Sequence, residues 1–230
     1  ALAPEAPLRD QLAEFRDRLA AETGGRFQAT GGDLRDPAQA AALVEATQRA
    51  LGSVDILVNN AGIQFVAPVD AFPPERWDAI RTIILDASFQ AIRAALPALK
   101  SRGWGRIINI VSAHGLVASP FKSAYVAAKH GLMGLTRSVA LEVAELGITC
   151  NAICPGYVRT PLVGAQIDDQ AKVHGLPREQ VIRDVILAAQ PRKRFVEVEE
   201  IAALAVFLCG AHARSITGAA IAIDGGWTAR

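Results

Sequence analysis

This 230-residue sequence predicts an α/β fold built on a doubly wound parallel sheet. Short apolar segments of strand length alternate with amphipathic segments of about ten or more residues, which is typical of a parallel sheet with helices on both faces. The strand segments are apolar almost throughout, as expected for strands buried on both sides. Hydrophobic residues make up 51% of the chain, and no repeat, low-complexity tract or linker divides it. We therefore expect one domain over residues 1–230.

Residues at the ends of segments mark the first elements. Apolar residues recur at helical spacing over 7–22, and Gly24 and Gly25 end that helix. Asp36 and Pro37 open a second helix, because proline is favoured at the first helical position. In chain order, this part of the sequence predicts a helix at 7–22, a strand at 26–29, a helix at 37–51 and a strand at 54–59.

The alternation continues to the end of the sequence. In chain order, the second part predicts a helix at 74–101, a strand at 106–112, a helix at 121–145, a strand at 147–154, a helix at 198–210 and a strand at 219–223. A polar and partly helical stretch at about 159–192 follows the strand at 147–154. It lies beyond the carboxyl end of that strand, where such folds bind ligands. We expect this stretch to form a lid over the substrate.

Composition excludes several classes of protein. Lys+Arg number 24 against 23 Asp+Glu, so the formal charge of +1 gives no electrostatic reason to expect nucleic acid or an anionic membrane as a partner. The sequence contains no run of about 18 uncharged apolar residues, so no membrane span is predicted. Cys150, Cys154 and Cys209 are an odd number in a long chain, which argues against a disulfide framework and fits a cytoplasmic protein. Their spacing matches no metal site, so we expect no metal.

The strongest local signal is a tyrosine and a lysine four residues apart on a predicted helix. Tyr125 and Lys129 share one helix face, and Ser112 stands thirteen positions before Tyr125, at the end of a strand. A close ammonium, together with a cationic cofactor ring, would lower the tyrosine pKa from about 10 towards 7 and favour the phenolate. A lone Tyr-x-x-x-Lys pair is more often a solvated pair on a helix surface, so its surroundings decide the interpretation.

Three motifs that follow strands supply those surroundings. They are NNAG at 59–62, PGYVRT at 155–160 and DGGW at 224–227. Small and amide residues after a strand let a flat ligand approach the backbone, although each motif alone also fits a plain turn or a packed terminus. In this order, and with Ser112, Tyr125 and Lys129, the sequence resembles the short-chain dehydrogenase/reductase family from about residue 26 to its end.

The resemblance implies a Rossmann-like fold and a nicotinamide cofactor. Tyr125 would be the general acid/base, Lys129 would lower its pKa and hold the nicotinamide ribose, and Ser112 would polarise the substrate oxygen. The cofactor-binding residues that the resemblance implies are Asp33, Leu34, Asn60, Ala61, Gly62, Tyr125, Lys129, Pro155, Gly156, Val158 and Thr160. Family members are commonly tetramers built through their long helices, so a homotetramer is expected.

Further polar residues surround this frame. They are Gln64, His114, Lys122 and Gln166. One cation, an imidazole and two amides suit a small anion such as a carboxylate. The stretches NNAGIQ, SAHGLVASPFKSAYVAAKHG and CNAICPGYVRTPLV resemble family members that oxidise D-3-hydroxybutyrate with NAD, in which the matching residues hold the substrate carboxylate. Tyr157 and Trp227 would wall the pocket, with core packing an equal alternative.

We therefore expect an enzyme that oxidises D-3-hydroxybutyrate, or a similar small 3-hydroxy acid, to the 3-oxo acid with NAD. Two alternatives stay open. The first is a reductase of another carbonyl, such as a 3-oxoacyl thioester or a sugar. The second is a non-catalytic member of the family.

The sequence departs from the family pattern at two places. The family fold begins with a strand, a Thr-Gly-x-x-x-Gly-x-Gly turn, a helix and a second strand, and none of these precedes the helix at 7–22. The strand at 26–29 would then lack a neighbour, so we expect the natural chain to carry this unit before Ala1. Ile84 stands where the family usually has an asparagine that completes a proton relay to the lysine. Isoleucine cannot hydrogen-bond a relay water, so we expect slowed turnover.

Overall fold

A four-stranded parallel sheet forms the centre of the protein, with strand order β1-β2-β3-β4. The computed structural model describes residues 6–160, 163–164, 167 and 175–229. The strands are β1 Ile56–Asn59, β2 Gly105–Ile110, β3 Ile148–Pro155 and β4 Ala220–Ile223. Their register places Leu57, Ile107 and Cys150 side by side across the first three strands. The four strands fall on predicted segments, and the predicted fold class is confirmed.

Helices connect the strands and cover the sheet. They are α1 Ala6–Thr23, α2 Pro37–Leu51, α3 Pro74–Arg81, α4 Ala87–Arg102, α5 Ser123–Glu142, α6 Arg178–Val181 and α7 Val198–Cys209. The start of α2 is as predicted, because the Asp36 side chain accepts a hydrogen bond from the N–H of Ala38 and Pro37 takes the first position. A π-helical turn, Thr82–Asp86, joins α3 to α4.

Both faces of the sheet carry a hydrophobic core, because successive residues of a strand point to opposite faces. Ile107 packs on one face in a cluster that includes residues of α2, α4 and α5. Its neighbour Ile108 packs on the other face with Ile153 and with Leu208 of α7. The nearly continuous apolar strands of the sequence therefore reflect burial on two sides.

The strand predicted at 26–29 is wrong. Residues 24–33 have no regular structure, Phe27 is exposed, and the Arg26 guanidinium donates a hydrogen bond to the carbonyl of Ala50. A strand requires a hydrogen-bonding neighbour, and β1 forms the edge of the described sheet, with Ile56 and Val58 exposed. Residues 26–29 and β1 are therefore not paired in the described sheet.

One helical stretch, 74–102, is long and apolar enough to cross a membrane by length and composition alone. Its side chains Ile84, Ile92 and Leu99 are fully buried in the protein, and α4 packs against α2 and the sheet. Within the described ranges this stretch is a core helix.

Candidate active site

A half-buried amide, Asn59, and a buried amide, Asn109, hold the carboxyl ends of β1 and β2 together. The Asn59 side-chain N–H donates to Oδ1 of Asn109 at 2.8 Å, and Nδ2 of Asn109 donates to the Thr136 hydroxyl of α5, also at 2.8 Å. These bonds fix the edge of the sheet at which parallel strands place ligand sites. The sequence analysis did not single out Asn109, although a polar residue inside an apolar strand is a signal that would have found it.

Ser112, Tyr125 and Lys129 form one cluster at this edge. Ser112 follows β2, while Tyr125 and Lys129 lie one turn apart on α5. The Ser112 and Tyr125 side chains border the same pocket. Nζ of Lys129 lies 5.6 Å from the centre of the Tyr125 ring and donates to the carbonyl of Ile110 at 2.7 Å. The structure thus brings together the three residues that the sequence proposed as catalytic.

Burial dominates the electrostatics of this cluster. It raises the pKa of Tyr125 above its ordinary value, although the hydrogen bond to Ser112 acts in the opposite direction. Burial also lowers the pKa of Lys129 from 10.5 to about 8. The lowered tyrosine pKa expected from the lysine is therefore not present in the protein alone, because the ammonium is itself disfavoured in the same dry site.

The predicted substrate residues meet beside that cluster. One pocket is bordered by Ser112 and Tyr125 and also by Gln64, His114, Lys122, Tyr157 and Trp227. The remaining predicted substrate residue, Gln166, lies outside the described residues. Five of the six predicted positions therefore converge on one site, although they come from four separate loops.

Aromatic rings form one wall of this pocket. The Tyr157 and Trp227 rings are stacked, with centres 5.6 Å apart and planes 8° from parallel. The His114 ring meets Trp227 edge-on at 4.9 Å and Tyr125 at 5.8 Å. The ammonium of Lys122 donates to the Tyr157 hydroxyl at 3.3 Å. Tyr157 and Trp227 therefore border the pocket, as proposed from the sequence, and Tyr157 also contacts its cation.

His114 enters the pocket as a neutral imidazole. It is 4% exposed, and burial, with a smaller effect of the Lys122 charge, lowers its pKa from 6.5 to about 4. Its Nε2 lies 2.9 Å from the Ser119 hydroxyl, and its backbone N–H donates to the Ser112 hydroxyl at 3.2 Å. At neutral pH the positive charge of the pocket thus belongs to Lys122, and His114 offers hydrogen bonds without charge.

A second pocket continues from the first towards β1. It shares Ser112 and Tyr125 with the first pocket and is bordered in addition by Lys129. The predicted cofactor residues on it are Asn60, Gly62, Pro155, Gly156 and Val158. A Cβ at Gly62 would meet only ordinary contacts, at 3.7 Å or more, so a flat group has access to the backbone there. A buried ammonium, a phenol and an amide fit the hydroxyls of a nicotinamide ribose.

The remaining predicted cofactor residues are placed differently. Leu34 and Ala61 border a third pocket, beside the exposed Val58 of β1. Thr160 borders the first pocket, on the substrate side. The Asp33 carboxylate accepts hydrogen bonds from the Arg35 guanidinium at 2.9 to 3.0 Å, which lowers the pKa of Asp33 to about 2. Its carboxylate is thus already paired within its own turn.

Ile84 lies near the lysine, beside Gly62. It is fully buried. A Cβ placed on Gly62 would lie 3.7 Å from Cγ1 of Ile84 and 3.9 Å from Nζ of Lys129. Asp86, two positions further on, is held by an ion pair with Arg81. Ile84 and Lys129 therefore both lie beside Gly62, and an aliphatic side chain stands where the family pattern has an amide.

Two buried polar residues support the pocket wall: Asp224, which opens the DGGW motif, and Gln190, which belongs to no motif. The Asp224 carboxylate accepts backbone hydrogen bonds from Gly226 at 3.0 Å and Thr228 at 2.8 Å, and so holds the turn that carries Trp227. Gln190, which is fully buried, accepts a hydrogen bond from the N–H of Tyr157. No group of histidine, cysteine and acidic side chains within the described ranges is arranged to hold a metal.

Comparisons of sequence agree with this architecture. The profile of a family described as enoyl-(acyl carrier protein) reductase matches residues 7–228. A protein of Rhizobium meliloti (strain 1021), named D-beta-hydroxybutyrate dehydrogenase, is 53% identical over 221 residues, covering 96% of this chain and 86% of the relative. A protein of the same name from Cupriavidus necator is 52% identical over 200 residues, covering 87% of this chain and 78% of the relative.

Solved structures of similar fold cover nearly the whole chain. L-sorbose reductase of Gluconobacter frateurii, complexed with NADPH and L-sorbose, has a TM-score of 0.90 and 29% identity, covering 96% of this chain and 84% of its own. Gluconate 5-dehydrogenase of Burkholderia cenocepacia J2315, complexed with NADP and tartrate, has a TM-score of 0.85 and 33% identity, covering 96% and 83%. With a family match over almost its full length and relatives more than half identical, the chain belongs to the short-chain dehydrogenase/reductase family, whose members use nicotinamide cofactors.

Proposed function

We propose that this protein oxidises D-3-hydroxybutyrate, or a similar small 3-hydroxy acid, to the 3-oxo acid with NAD. The observation that carries the proposal is the meeting of Lys122, His114 and Gln64 with the Ser112–Tyr125 pair in one pocket. This arrangement offers a cation and neutral donors for a carboxylate, beside a hydroxyl pair for the reacting oxygen. The two relatives named D-beta-hydroxybutyrate dehydrogenase support the choice of acid.

The proton transfer is assigned to the hydroxyl pair. The Ser112 hydroxyl holds the oxygen of the substrate, and Oη of Tyr125, as phenolate, takes its proton. A bound nicotinamide supplies the acceptor for the hydride, and the positive charge of its oxidised ring favours the phenolate. That added charge is needed because burial alone raises the pKa of Tyr125.

The carboxylate is assigned to the opposite side of the pocket. Lys122 provides a charge-assisted hydrogen bond, and the neutral His114 and Gln64 provide further donors. The stacked Tyr157 and Trp227 rings border that side of the pocket. Fixing the carboxylate positions the reacting carbon, which is how binding energy contributes to the rate.

Cofactor choice and assembly belong to the same proposal. The sequence resemblance supports NAD, whereas the two solved structures contain NADP or NADPH, so both cofactors enter the test. The family resemblance supports a cytoplasmic homotetramer. The exposed Phe89 and the apolar groove it forms with Leu96, Pro97 and Leu135 between α4 and α5 suit such an interface. Light scattering on the purified protein measures the assembly.

The direct experiment follows NADH absorbance after NAD and D-3-hydroxybutyrate are mixed with the protein. We expect NADH from the D-acid, little from the L-acid, and little reduction of NADP. Tyr125→Phe, which keeps the ring and removes the hydroxyl, should abolish the signal. A protein inactive with this acid but able to reduce a 3-oxoacyl thioester or a sugar with NADPH would fit the second candidate, which the sugar-binding and NADP-binding structures favour.

A further inference from the structure

Gln190 is a buried amide at the junction of three segments of the pocket wall. It is 1% exposed. Its Oε1 accepts a hydrogen bond from the N–H of Tyr157 at 3.1 Å, and its Nε2 donates to the carbonyl of Arg194. Both ends of the amide are therefore used, one for the loop after β3 and the other for the turn that precedes α7.

Two glycines make room for this amide. A Cβ at Gly156 would lie 2.6 Å from Oε1 of Gln190, and a Cβ at Gly225 would lie 2.8 Å from its Cγ. Gly225 also has a φ of +62°, which side-chain-bearing residues rarely adopt. Its carbonyl accepts a hydrogen bond from the N–H of Arg192 at 3.1 Å. The loop after β3, the 190–194 turn and the carboxyl-terminal loop thus all close around one side chain.

Tyr157 connects Gln190 to the ligand side of the pocket. Its N–H is held by Gln190, and its carbonyl accepts a hydrogen bond from the N–H of Val196 at 2.9 Å. The peptide is therefore fixed on both sides. The ring that this peptide carries stacks on Trp227, and its hydroxyl accepts the hydrogen bond from Lys122.

We propose that Gln190 is a positioning residue for the acid-binding side of the pocket. It does not border the space where the acid binds beside Lys122. By holding the Tyr157 peptide it fixes the aromatic ring, and the ring fixes the Lys122 ammonium and the Trp227 wall. The inference rests on the proposed function in one respect, that a carboxylate is the group bound by Lys122.

Two variants separate positioning from general stabilisation. Gln190→Met is unbranched and of similar length, and it removes both hydrogen bonds. Gln190→Glu keeps an acceptor for the N–H of Tyr157 and loses the donor to Arg194. Asn151→Leu is the matched control, because Asn151 is also a buried amide, 1% exposed, that bonds Ile216 at 2.7 Å and Ala219 at 3.1 Å instead of the pocket wall.

Steady-state kinetics and amide hydrogen exchange provide the readouts. In Gln190→Met we expect the KM for D-3-hydroxybutyrate to rise about tenfold while the KM for NAD changes less than about twofold, because misplaced binding groups weaken one ligand only. Gln190→Glu should keep the KM for the acid within about threefold of wild type. Exchange of the Tyr157 amide should accelerate in the methionine variant and stay slow in the glutamate variant. Asn151→Leu should lower Tm without moving either KM.

Other outcomes would overturn the inference. If Gln190 only stabilises the fold, Gln190→Met should lower Tm and leave both KM values unchanged. The buried charge of Gln190→Glu should then lower Tm more than Gln190→Met does. If Gln190→Met does not fold, the shorter Gln190→Asn replaces it, with the same expected KM. If the wild-type protein does not oxidise the acid, the proposed function fails. The Tyr157 exchange rates and the near-ultraviolet circular dichroism of the Tyr157–Trp227 stack then still decide the role of Gln190.

Discussion

Lys122 and Tyr157 form one hydrogen-bonded pair across the candidate substrate pocket. The ammonium donates to the tyrosine hydroxyl at 3.3 Å and lies 5.5 Å from the centre of its ring. Lys122 immediately precedes α5, which carries Tyr125 and Lys129, so the pair joins the start of that helix to the loop after β3. An ammonium has three donor hydrogens, and the pair uses one of them.

The role of Lys122 is tested by Lys122→Ala. A hydrogen bond to a charged group contributes about 1.5–3 kcal/mol, so the KM for D-3-hydroxybutyrate should rise roughly tenfold or more. The KM for NAD should change little, because the second pocket does not include Lys122. The exposed Lys100 of α4 provides the control, and Lys100→Ala should leave both constants unchanged. Equal increases in both KM values in Lys122→Ala would contradict the assignment.

His114 should make the protein sensitive to acid. Its pKa is about 4 when folded and 6.5 ordinarily, so as pH falls below 6.5 the unfolded chain binds the proton first. Stability present above pH 6.5 is therefore lost as pH falls towards 4, by about 1–2 kcal/mol at pH 5. Urea unfolding at pH 7 and pH 5 should show this loss in wild type and a smaller loss in His114→Gln. His130→Gln, at an exposed position, should behave as wild type; an equal reduction in that variant would refute the assignment to His114.

The buried charge of Lys129 should lower the stability of the protein at neutral pH. Its pKa is about 8 when folded and 10.5 ordinarily, so the unfolded chain binds the proton more tightly. Stability is therefore lost as pH falls from 10.5 to 8, and the loss is complete at pH 7. It amounts to about 3 kcal/mol, and replacing the lysine would also remove its hydrogen bond to the Ile110 carbonyl, which contributes about 1 kcal/mol.

Lys129→Met removes this penalty and leaves an apolar chain of similar length. We expect the variant to be about 2 kcal/mol more stable than wild type in urea at pH 7, to have lost this advantage near pH 10.5, and to be inactive. Lower stability of the variant at pH 7 would show that the ammonium is better satisfied in the folded protein than its burial indicates.

Local sequence signals predicted the elements whose determinants are local. Asp36 and Pro37 mark the start of α2, and the apolar runs of β2 and β3 identify strands covered on two faces. The strand expected at 26–29 failed because a strand depends on a partner that its own residues do not encode. The π-helical turn Thr82–Asp86 was not predicted either, since a change in hydrogen-bond spacing inside one helix leaves the apolar pattern nearly unaltered.

The residues of the candidate site that belong to sequence motifs were predictable. The properties that depend on burial were not. Ser112, Tyr125 and Lys129 were found from spacing and resemblance, and the structure brings them together. The direction of the Tyr125 pKa shift was not predictable, because it depends on how completely the surrounding residues exclude water. The role of Gln190 could not be predicted from the sequence, because a single amide in a polar stretch forms no motif. Its hydrogen-bond partners come from other loops.

Ile84 gives the last prediction, that Ile84→Asn accelerates turnover. The new amide would stand near Lys129, beside Gly62, where it could hold a water that exchanges protons with the ammonium. We expect kcat to rise about three- to tenfold and the solvent deuterium isotope effect on kcat to fall, because proton transfer becomes easier. The buried amide should at the same time cost about 1–3 kcal/mol of stability. Ile80→Asn, one turn earlier and equally buried, should show that cost without the gain in kcat. If kcat and the isotope effect of Ile84→Asn match wild type, the isoleucine does not limit proton transfer, and the expectation of slowed turnover is wrong.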